Sequence, residues 1–350
     1  MIKVRSQRWL LAVLMASIML VVLLGAYVSP AAASEVFRIK VQTFQTPTNN
    51  WNNLTCVDFL RRCEERSGGR LKFLPLLDVG SVSGAGQILD AVSTGVLDAG
   101  YTASVYYGGK VPTSRIEYGL PYSWKNLYEA HQVMYKRGLI DVVRKDWARH
   151  NVRYVGYVGS TQLTWFTKKK PILSAEDFKG LKVRVTGASQ YAPRKLGAAV
   201  VKVSYPELYT SLQQGVIDGC LTIQDALTTL NFDEVVKYVM HPPVLLDALC
   251  FIMNMDTWNK LPADLQAIIE DEIVRFSYAN YVQSEYEEFR SIEKASQLGV
   301  EVAQMDPDLV KELQTISINE GWKWAASGSP LAADAVKIVK DYMRELGRIK

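Results

Sequence analysis

Arg184 is the side chain whose type and position most directly suggest ligand chemistry. Apolar residues alternate with Lys182 and Arg184 over residues 181–185, which predicts a β-strand with Arg184 near its carboxyl end. Ligands of open α/β folds gather outside the carboxyl ends of strands. A guanidinium at that place can hold a carboxylate with two parallel hydrogen bonds. The competing interpretation is a solvated strand arginine, which the pattern taken alone favours.

Catalytic constellations are missing from the sequence. It contains no Gly-x-Ser-x-Gly, no phosphate-binding loop and no Cys-x-x-Cys, and His131, His150 and His241 are isolated from one another and from cysteine. Histidines placed in this way are more often surface or capping residues than bases or metal ligands. We therefore expect a binding protein, not an enzyme. An exported α/β hydrolase is the alternative, and it would need a nucleophile–base pair that the sequence does not display.

The net charge gives no indication of a nucleic-acid partner. The 350 residues carry 40 Lys+Arg and 36 Asp+Glu, but residues 1–33 contain Lys3, Arg5 and Arg8 and no acid. Removing them leaves 37 basic against 36 acidic residues, a net charge of +1. A protein so close to neutral has no electrostatic footprint for DNA, RNA or an anionic membrane surface.

The first 33 residues have the three parts of a secretory signal peptide. A basic start is followed by the apolar run from Trp9 to Val28 and by the small residues Ala31 to Ala33. We expect cleavage near Ala33 and a periplasmic mature chain. The run is also long enough to remain as a membrane anchor, which is the alternative.

The four cysteines are expected to be thiols. Cys56 and Cys63 lie seven residues apart in one predicted helix, about 10 Å along its axis, which is too far for a disulfide. Cys220 and Cys250 could pair only if their strands are neighbours, and the sequence leaves that open.

An internal repeat predicts two similar lobes. Residues 91–100 match residues 211–220: each has a helix end, a glycine, two branched apolar residues, an acid and a small residue. Glycine suits the left-handed residue that closes a helix, and the apolar pair then enters a buried strand. With strand–helix units before each copy, we expect an α/β, two-lobed fold with a cleft between the lobes and hinge strands joining them. The expected boundaries are 1–33 for the leader, 34–150 for lobe I, 151–252 for lobe II and 253–350 for the remainder.

Residues 253–350 contain a return strand, a long helical pattern and a helical tail. Apolar residues recur at helical spacing from Asp264 to Leu298, and Gly299 ends the pattern. Such a helix would be about 50 Å long, so we expect it to brace both lobes.

Several motifs resemble those of a known receptor family. Residues 177–184 read D-x-K-G-x-K-x-R, residues 196–198 read L-G-A, and residues 207–219 read E-x-Y-x-x-L-Q-x-G-x-x-D-G. Residues 67–71 and 253–262 agree as well. The chain resembles the DctP-type solute-binding proteins of tripartite ATP-independent periplasmic (TRAP) transporters over nearly all of its mature length.

The resemblance implies a function. It implies a two-lobed periplasmic receptor that closes around a small organic acid and delivers it to TRAP-type membrane permease subunits for ion-driven uptake. Arg184 falls on the family's carboxylate-binding arginine. A receptor of the same fold that serves a signalling partner is a further alternative.

The resemblance also implies further substrate-binding residues. Residues 161–166 fall where relatives place a second polar group, and residues 101–110 look like the first-lobe loop of a subgroup that binds 2-oxo or 2-hydroxy acids through a metal. Leu221 stands where that subgroup has an acidic metal ligand, so neither a metal nor another cofactor is expected, although Asp225 and Asp247 keep a metal possible. For the loop residues, ordinary surface is an equal alternative. The candidates besides Arg184 are Gln162, Thr164, Trp165, Thr222, Thr102, Ser104 and Tyr106.

Overall fold

The computed structural model of the chain describes residues 35–45 and 50–350. The predicted leader, residues 1–33, lies outside the described residues. Residues Arg38–Lys350 form one compact unit. No helix within the described ranges is both long and apolar enough to cross a bilayer.

Strands and helices alternate along most of this unit. The strands are β1 (Phe37–Ile39), β2 (Val41–Thr43), β3 (Leu71–Phe73), β4 (Ala99–Thr102), β5 (Val152–Thr167), β6 (Lys182–Arg184), β7 (Ala199–Val200), β8 (Gly219–Ile223), β9 (Tyr238–His241), β10 (Leu245–Asn254) and β11 (Glu301–Gln304). The α-helices are α1 (Trp51–Arg66), α2 (Ile88–Ser93), α3 (Ser114–Glu117), α4 (Leu127–His131), α5 (Leu139–Ala148), α6 (Tyr191–Lys195), α7 (Leu208–Gln213), α8 (Ala226–Thr229), α9 (Met255–Lys260), α10 (Ala263–Gln297), α11 (Pro307–Ile316), α12 (Trp322–Ala326) and α13 (Pro330–Glu345).

Two long antiparallel strands join the two lobes. The main sheet has the order β2-β4-β10-β5-β8-β6-β7, so β10 and β5 lie side by side in its middle. Strands β2 and β4 on one side belong to the first lobe, and β8, β6 and β7 on the other side belong to the second. Because β5 and β10 continue from one lobe into the other, they are the hinge strands expected from the sequence.

Each lobe has its own apolar core. The core of the first lobe includes Val92 and Trp147, which are fully buried. The second lobe has one cluster around Trp165 and another around Phe166, residues that point to opposite faces of β5 as consecutive strand residues do. Separate cores allow the lobes to move as units.

The repeated helix–glycine–strand segment is built alike in both lobes. Gly95 and Gly215 have φ of 75° and 73°, the left-handed conformation that glycine adopts without a Cβ clash. The acid that follows accepts a hydrogen bond from the backbone of the neighbouring parallel strand: Asp98 Oδ2 from Lys40 N at 2.8 Å, and Asp218 Oδ2 from Lys182 N at 2.9 Å. The strand pairs β2–β4 and β6–β8 share the same register, since Val41 pairs with Ala99 and Val183 with Gly219.

Helix α10 braces both lobes, as the sequence predicts. Near its start, the buried Glu272 accepts hydrogen bonds from Arg62 (2.8 Å) and Arg66 (2.9 Å) of α1 in the first lobe. Near its end, Ser291 Oγ lies 2.6 Å from Thr228 Oγ1 of α8 in the second.

A polar stripe on α10 holds the middle of β5. Asn280 Nδ2 donates to the carbonyl oxygen of Gly159 at 2.9 Å, Ser284 Oγ donates to that of Ser160 at 3.0 Å, and Glu288 accepts from the backbone N–H of Gln162 at 2.8 Å. These bonds satisfy backbone groups where the β5–β10 pairing slips between Leu246 and Ala248.

Two local expectations meet the structure differently. All four cysteines are buried and free, which confirms the thiol prediction. The sequence after Gly100 predicts a strand that runs to Tyr107, but β4 ends at Thr102 and residues Ser104–Tyr107 form a 3-10 turn.

Candidate functional site

A cavity of about 390 Å³ lies where the hinge strands meet both lobes. Its walls come from the loop after β2, the 3-10 turn after β4, the ends of β6 and β8, and the hinge strands. Just over half of the lining residues are apolar or aromatic and most of the others are polar, which suits a small ligand that carries polar groups. The lining includes Phe44, Gln45, Asn52, Tyr106, Tyr118, Arg184, Arg194, Lys202, Tyr205, Thr222 and Asp247.

Arg184 reaches the cavity from the carboxyl end of β6. Its side chain is buried, with 8% of its surface exposed. Nε donates to the carbonyl oxygen of Val203 at 3.2 Å, which fixes the plane of the guanidinium. Among the described residues, no acceptor pairs with its two terminal nitrogens and no carboxylate lies within ion-pair distance. Unpaired guanidinium donors at a cavity wall are suited to a bound anion.

Asp247 reaches the same cavity from β10, where the β5–β10 register slips. Its Oδ1 accepts a hydrogen bond from Thr161 N at 3.0 Å. Burial raises the pKa of Asp247 to about 7, while this bond and the nearby hydroxyls of Ser160 and Tyr118 oppose the rise. The carboxyl group is therefore harder to ionise than that of an exposed aspartate.

Three tyrosines, Tyr106, Tyr118 and Tyr205, line the cavity near these two charges. Burial raises the pKa of each, and the positive charge of Arg184 opposes the rise. Neutral phenols present flat apolar faces and a hydroxyl that can donate or accept, so they can exclude water without fixing one ligand shape.

Three of the eight site residues expected from the sequence lie together at the cavity. They are Arg184, Tyr106 and Thr222. Tyr106 comes from the 3-10 turn of the first lobe, and Thr222 comes from β8 of the second.

The other five do not line the cavity. Gln162 Nε2 lies 3.5 Å from the carbonyl oxygen of Lys125, Thr164 donates to that of Met240, and Trp165 packs edge-on against Phe178 in the second-lobe core. Thr102 is buried against the hydroxyl of Tyr107 at 2.7 Å, and Ser104 is buried. Strand pairing buries Thr102, Thr164 and Trp165 within the protein, whereas Gln162 is partly exposed and Ser104 is buried in the 3-10 turn after β4.

Several lining residues were absent from the sequence-based candidates for ligand contacts. Asp247 follows an apolar run and comes to the cavity only through the register slip of β10. Asn52 and Gln45 each have a buried side-chain oxygen with no partner among the described residues. Arg194 and Lys202 add positive charge to the lining. The sequence signal that could have marked Asp247 is an acid within a strand whose other residues are buried.

The residues present do not form a clear metal site. Within residues 35–45 and 50–350, no group of three or more His, Cys, Asp or Glu side chains is arranged to hold an ion. A small anion with polar substituents is the ligand that this donor set suits best.

The chain matches a family model over most of its length. The model of the bacterial extracellular solute-binding proteins, family 7 (DctP), matches residues 42–323. A curated relative, the monocarboxylate 2-oxoacid-binding periplasmic protein all3028 of Nostoc sp., is 32% identical over 222 residues, which are 61% of this chain. The chain spans 59% of the length of that relative, less than two thirds.

Solved structures share the fold. A TRAP periplasmic solute-binding protein of Colwellia psychrerythraea, with bound calcium and pyruvate, has a TM-score of 0.79 at 23% identity and covers 89% of this chain and 95% of its own. One of Rhodoferax ferrireducens, with bound malonate, has a TM-score of 0.79 at 17% identity and covers 89% of this chain and 100% of its own. The α/β two-lobed fold expected from the sequence is thereby confirmed.

Proposed function

The chain belongs to the bacterial extracellular solute-binding proteins of family 7, and on that premise we propose that it is a periplasmic receptor for a small organic acid. The receptor captures the acid in the cavity between its lobes and delivers it to a TRAP-type membrane permease. Its relatives' ligands, pyruvate and malonate among them, support the class of ligand and not its identity.

The unpaired guanidinium of Arg184 is the observation on which the proposal rests. Arg184 lines the cavity, its side chain is buried, and its terminal nitrogens have no acceptor among the described residues. A buried guanidinium with unpaired donors is costly unless an anion completes it. A carboxylate would do so with two parallel hydrogen bonds, and Arg194 and Lys202 in the lining would reinforce the attraction.

Capture would proceed by movement of the lobes about the hinge strands. The cavity draws Tyr106 from the first lobe and Arg184 and Thr222 from the second, so a ligand that contacts all three favours the arrangement in which they are close. Such a ligand shifts the population by its differential affinity for that closed arrangement. The aromatic side chains would then exclude water around the ion pair and strengthen it.

No catalytic step is part of the proposal. Among the described residues that line the cavity there is no His and no Cys, and the carboxylate present there is that of Asp247 on a hinge strand. The residues supply binding, orientation and exclusion of water, which are the properties of a receptor.

Calorimetry and thermal unfolding with a panel of small carboxylates test the ligand class. A ligand present at about 100 times its Kd should raise the free energy of unfolding by about 2.7 kcal/mol. Arg184→Ala should abolish that response. Lys182→Ala is the matched control, because Lys182 lies on the same strand, is exposed, and donates to the carbonyl oxygen of Gly215. A carboxylate that binds wild type and Arg184→Ala equally would remove Arg184 from the site.

Export and delivery need separate measurements. The mature N-terminus of protein from the periplasmic fraction should begin near Ser34. Uptake of the identified acid into vesicles that contain the permease should require both the receptor and an ion gradient. Uptake that proceeds without the receptor would contradict the delivery step.

A further inference from the structure

Two opposite charges line the cavity without neutralising each other. Arg184 comes from β6 and Asp247 from β10, and both side chains are buried, with 8% and 6% of their surfaces exposed. No ion pair joins Arg184 to any described carboxylate. A single carboxylate ligand would satisfy the first group and leave the second without a ligand partner.

Asp247 has unused capacity to accept hydrogen bonds. A carboxylate offers about four acceptor positions. Thr161 N takes one of them at 3.0 Å, and the hydroxyls of Ser160 and Tyr118 face the same group. At least one acceptor position is left on the wall of the cavity.

The backbone of β5 holds the side chain of Asp247 in position. The residue lies at the slip between Leu246, which pairs with Gln162, and Ala248, which pairs with Gly159. The bond from Thr161 N anchors one carboxylate oxygen to β5. The side chain is thus preorganised, which lowers the entropic cost of using it to bind a ligand.

We propose that Asp247 accepts a hydrogen bond from a hydroxyl or ammonium group of the same ligand whose carboxylate Arg184 binds. The inference rests on the proposed function and narrows its ligand class to organic acids that also carry a hydrogen-bond donor. A 2-oxo acid would instead present oxygen lone pairs to the carboxylate of Asp247. This separates the expected ligand from the 2-oxoacids for which the Nostoc relative is named.

The discriminating measurement is calorimetry with acids that share one carbon skeleton. Each set contains the hydroxy, amino, oxo and unsubstituted acid, with the substituent at carbon 2 or carbon 3, on short aliphatic and on aromatic skeletons. Titrations are run at pH 8 with a calcium chelator present. The best hydroxy or amino acid should bind at least about tenfold more tightly than the oxo and unsubstituted acids of its set, because a site built to accept a donor rejects analogues that lack one.

The variant Asp247→Asn assigns that preference to the side chain. Asparagine keeps an oxygen for Thr161 N but loses the negative charge, so the donor acids should lose at least about tenfold in affinity while the unsubstituted acids change little. Gln213→Ala changes an exposed position on α7 and is prepared and titrated in the same way, as the control variant. If Asp247→Asn does not fold, the preference of the wild type for donor acids over oxo and unsubstituted acids is the test of the proposal.

The outcomes separate the two proposals. If an oxo or unsubstituted acid binds as tightly as the best donor acid and needs Arg184, the receptor function stands and the role of Asp247 is refuted. The titrations are therefore repeated with calcium in place of the chelator. Binding that appears only with calcium and disappears in Asp247→Asn also refutes the role of Asp247, since Asp247 would then be a cation ligand. If no acid of any set binds with the chelator or with calcium, both proposals fail.

Discussion

Gln42 and Arg184 occupy equivalent positions in the two lobes and behave in opposite ways. Gln42 pairs with Gly100 on β4, and Arg184 pairs with Cys220 on β8, in parallel strand pairs of the same register. Each follows a lysine–valine dipeptide, and both side chains are buried.

Their hydrogen bonds differ. The amide of Gln42 is fully used: Oε1 accepts from Val82 N (2.9 Å) and Ser83 N (3.1 Å), and Nε2 donates to the carbonyl oxygen of Ser83 at 2.7 Å. Arg184 donates one bond through Nε and keeps its terminal nitrogens unpaired within the described chain. In this repeated framework, the strand position whose donors folding leaves without acceptors is the one available to a ligand.

Arg184→Gln makes the second lobe resemble the first and should give the largest effect. The ligand carboxylate loses its charged partner, so affinity should fall by about 2–5 kcal/mol. The free energy of unfolding should change by about 1 kcal/mol or less, because only the bond to Val203 is lost. Calorimetry and urea titration measure the two quantities. A large loss of stability with unchanged affinity would show that Arg184 has a structural role and does not bind the ligand.

Gln42→Ala should show the opposite pattern. It leaves two backbone N–H groups and one carbonyl of residues 82 and 83 without their partner, so unfolding should become easier by about 1–3 kcal/mol. Affinity for the organic acid should stay close to that of the wild type. Urea titration checks the first expectation, with the exposed Gln213→Ala as the control. If Gln42→Ala and Gln213→Ala had the same free energy of unfolding, the structural role given to Gln42 would be contradicted.

Gly95→Ala and Gly215→Ala should cost about 1 kcal/mol each, and the two costs should be equal. Both glycines have positive φ, where a Cβ is strained by its own backbone. Space does not distinguish them: the nearest atom to a new Cβ at Gly95 is Asn254 Nδ2 at 3.8 Å, and nothing lies within 4 Å at Gly215. Gly86→Ala, with the same free space and no positive φ, should cost little. Thermal unfolding of the three variants tests the equivalence of the lobes.

Lys40→Met and Lys182→Met should have the smallest effects. Lys40 Nζ donates to the carbonyl oxygen of Val96 at 2.9 Å, and Lys182 Nζ donates to that of Gly215 at 2.7 Å, both at exposed sites. Surface changes of this kind usually stay within about 0.5 kcal/mol. Urea titration should give the same small value for both, and a loss above about 1 kcal/mol in one of them would show that the lobes are not equivalent there.

The repeated framework could be predicted from the sequence because its signals are local. Glycine at a helix end, an apolar pair and a following acid are set by backbone conformation and strand burial within ten residues. The same holds for α1, which contains Cys56 and Cys63 in one helix as expected, and for α10, which begins and ends within one residue of expectation. Arg184 was predicted as a ligand residue from its place at the end of a strand together with the family resemblance, because the strand pattern alone favoured a solvated arginine.

The rest of the site depends on pairing between distant segments. Asp247 reaches the cavity through a register slip against residues 159–162, more than eighty residues away in the chain. Thr164 and Trp165 were expected at the ligand, but the register of β5 places them in the second-lobe core. The polar stripe of α10 was also missed, because its partners are backbone groups of that same slip.

The buried cysteines make the protein convenient for labelling. All four thiols of the sequence are enclosed, and burial raises the pKa of each, so a thiol-directed dye has no reactive target in the native chain. A cysteine introduced at an exposed position on either lobe would therefore be modified selectively. A donor and an acceptor dye on opposite lobes would report each closing event as a change in energy transfer, so the receptor could serve as an optical sensor for its own ligand.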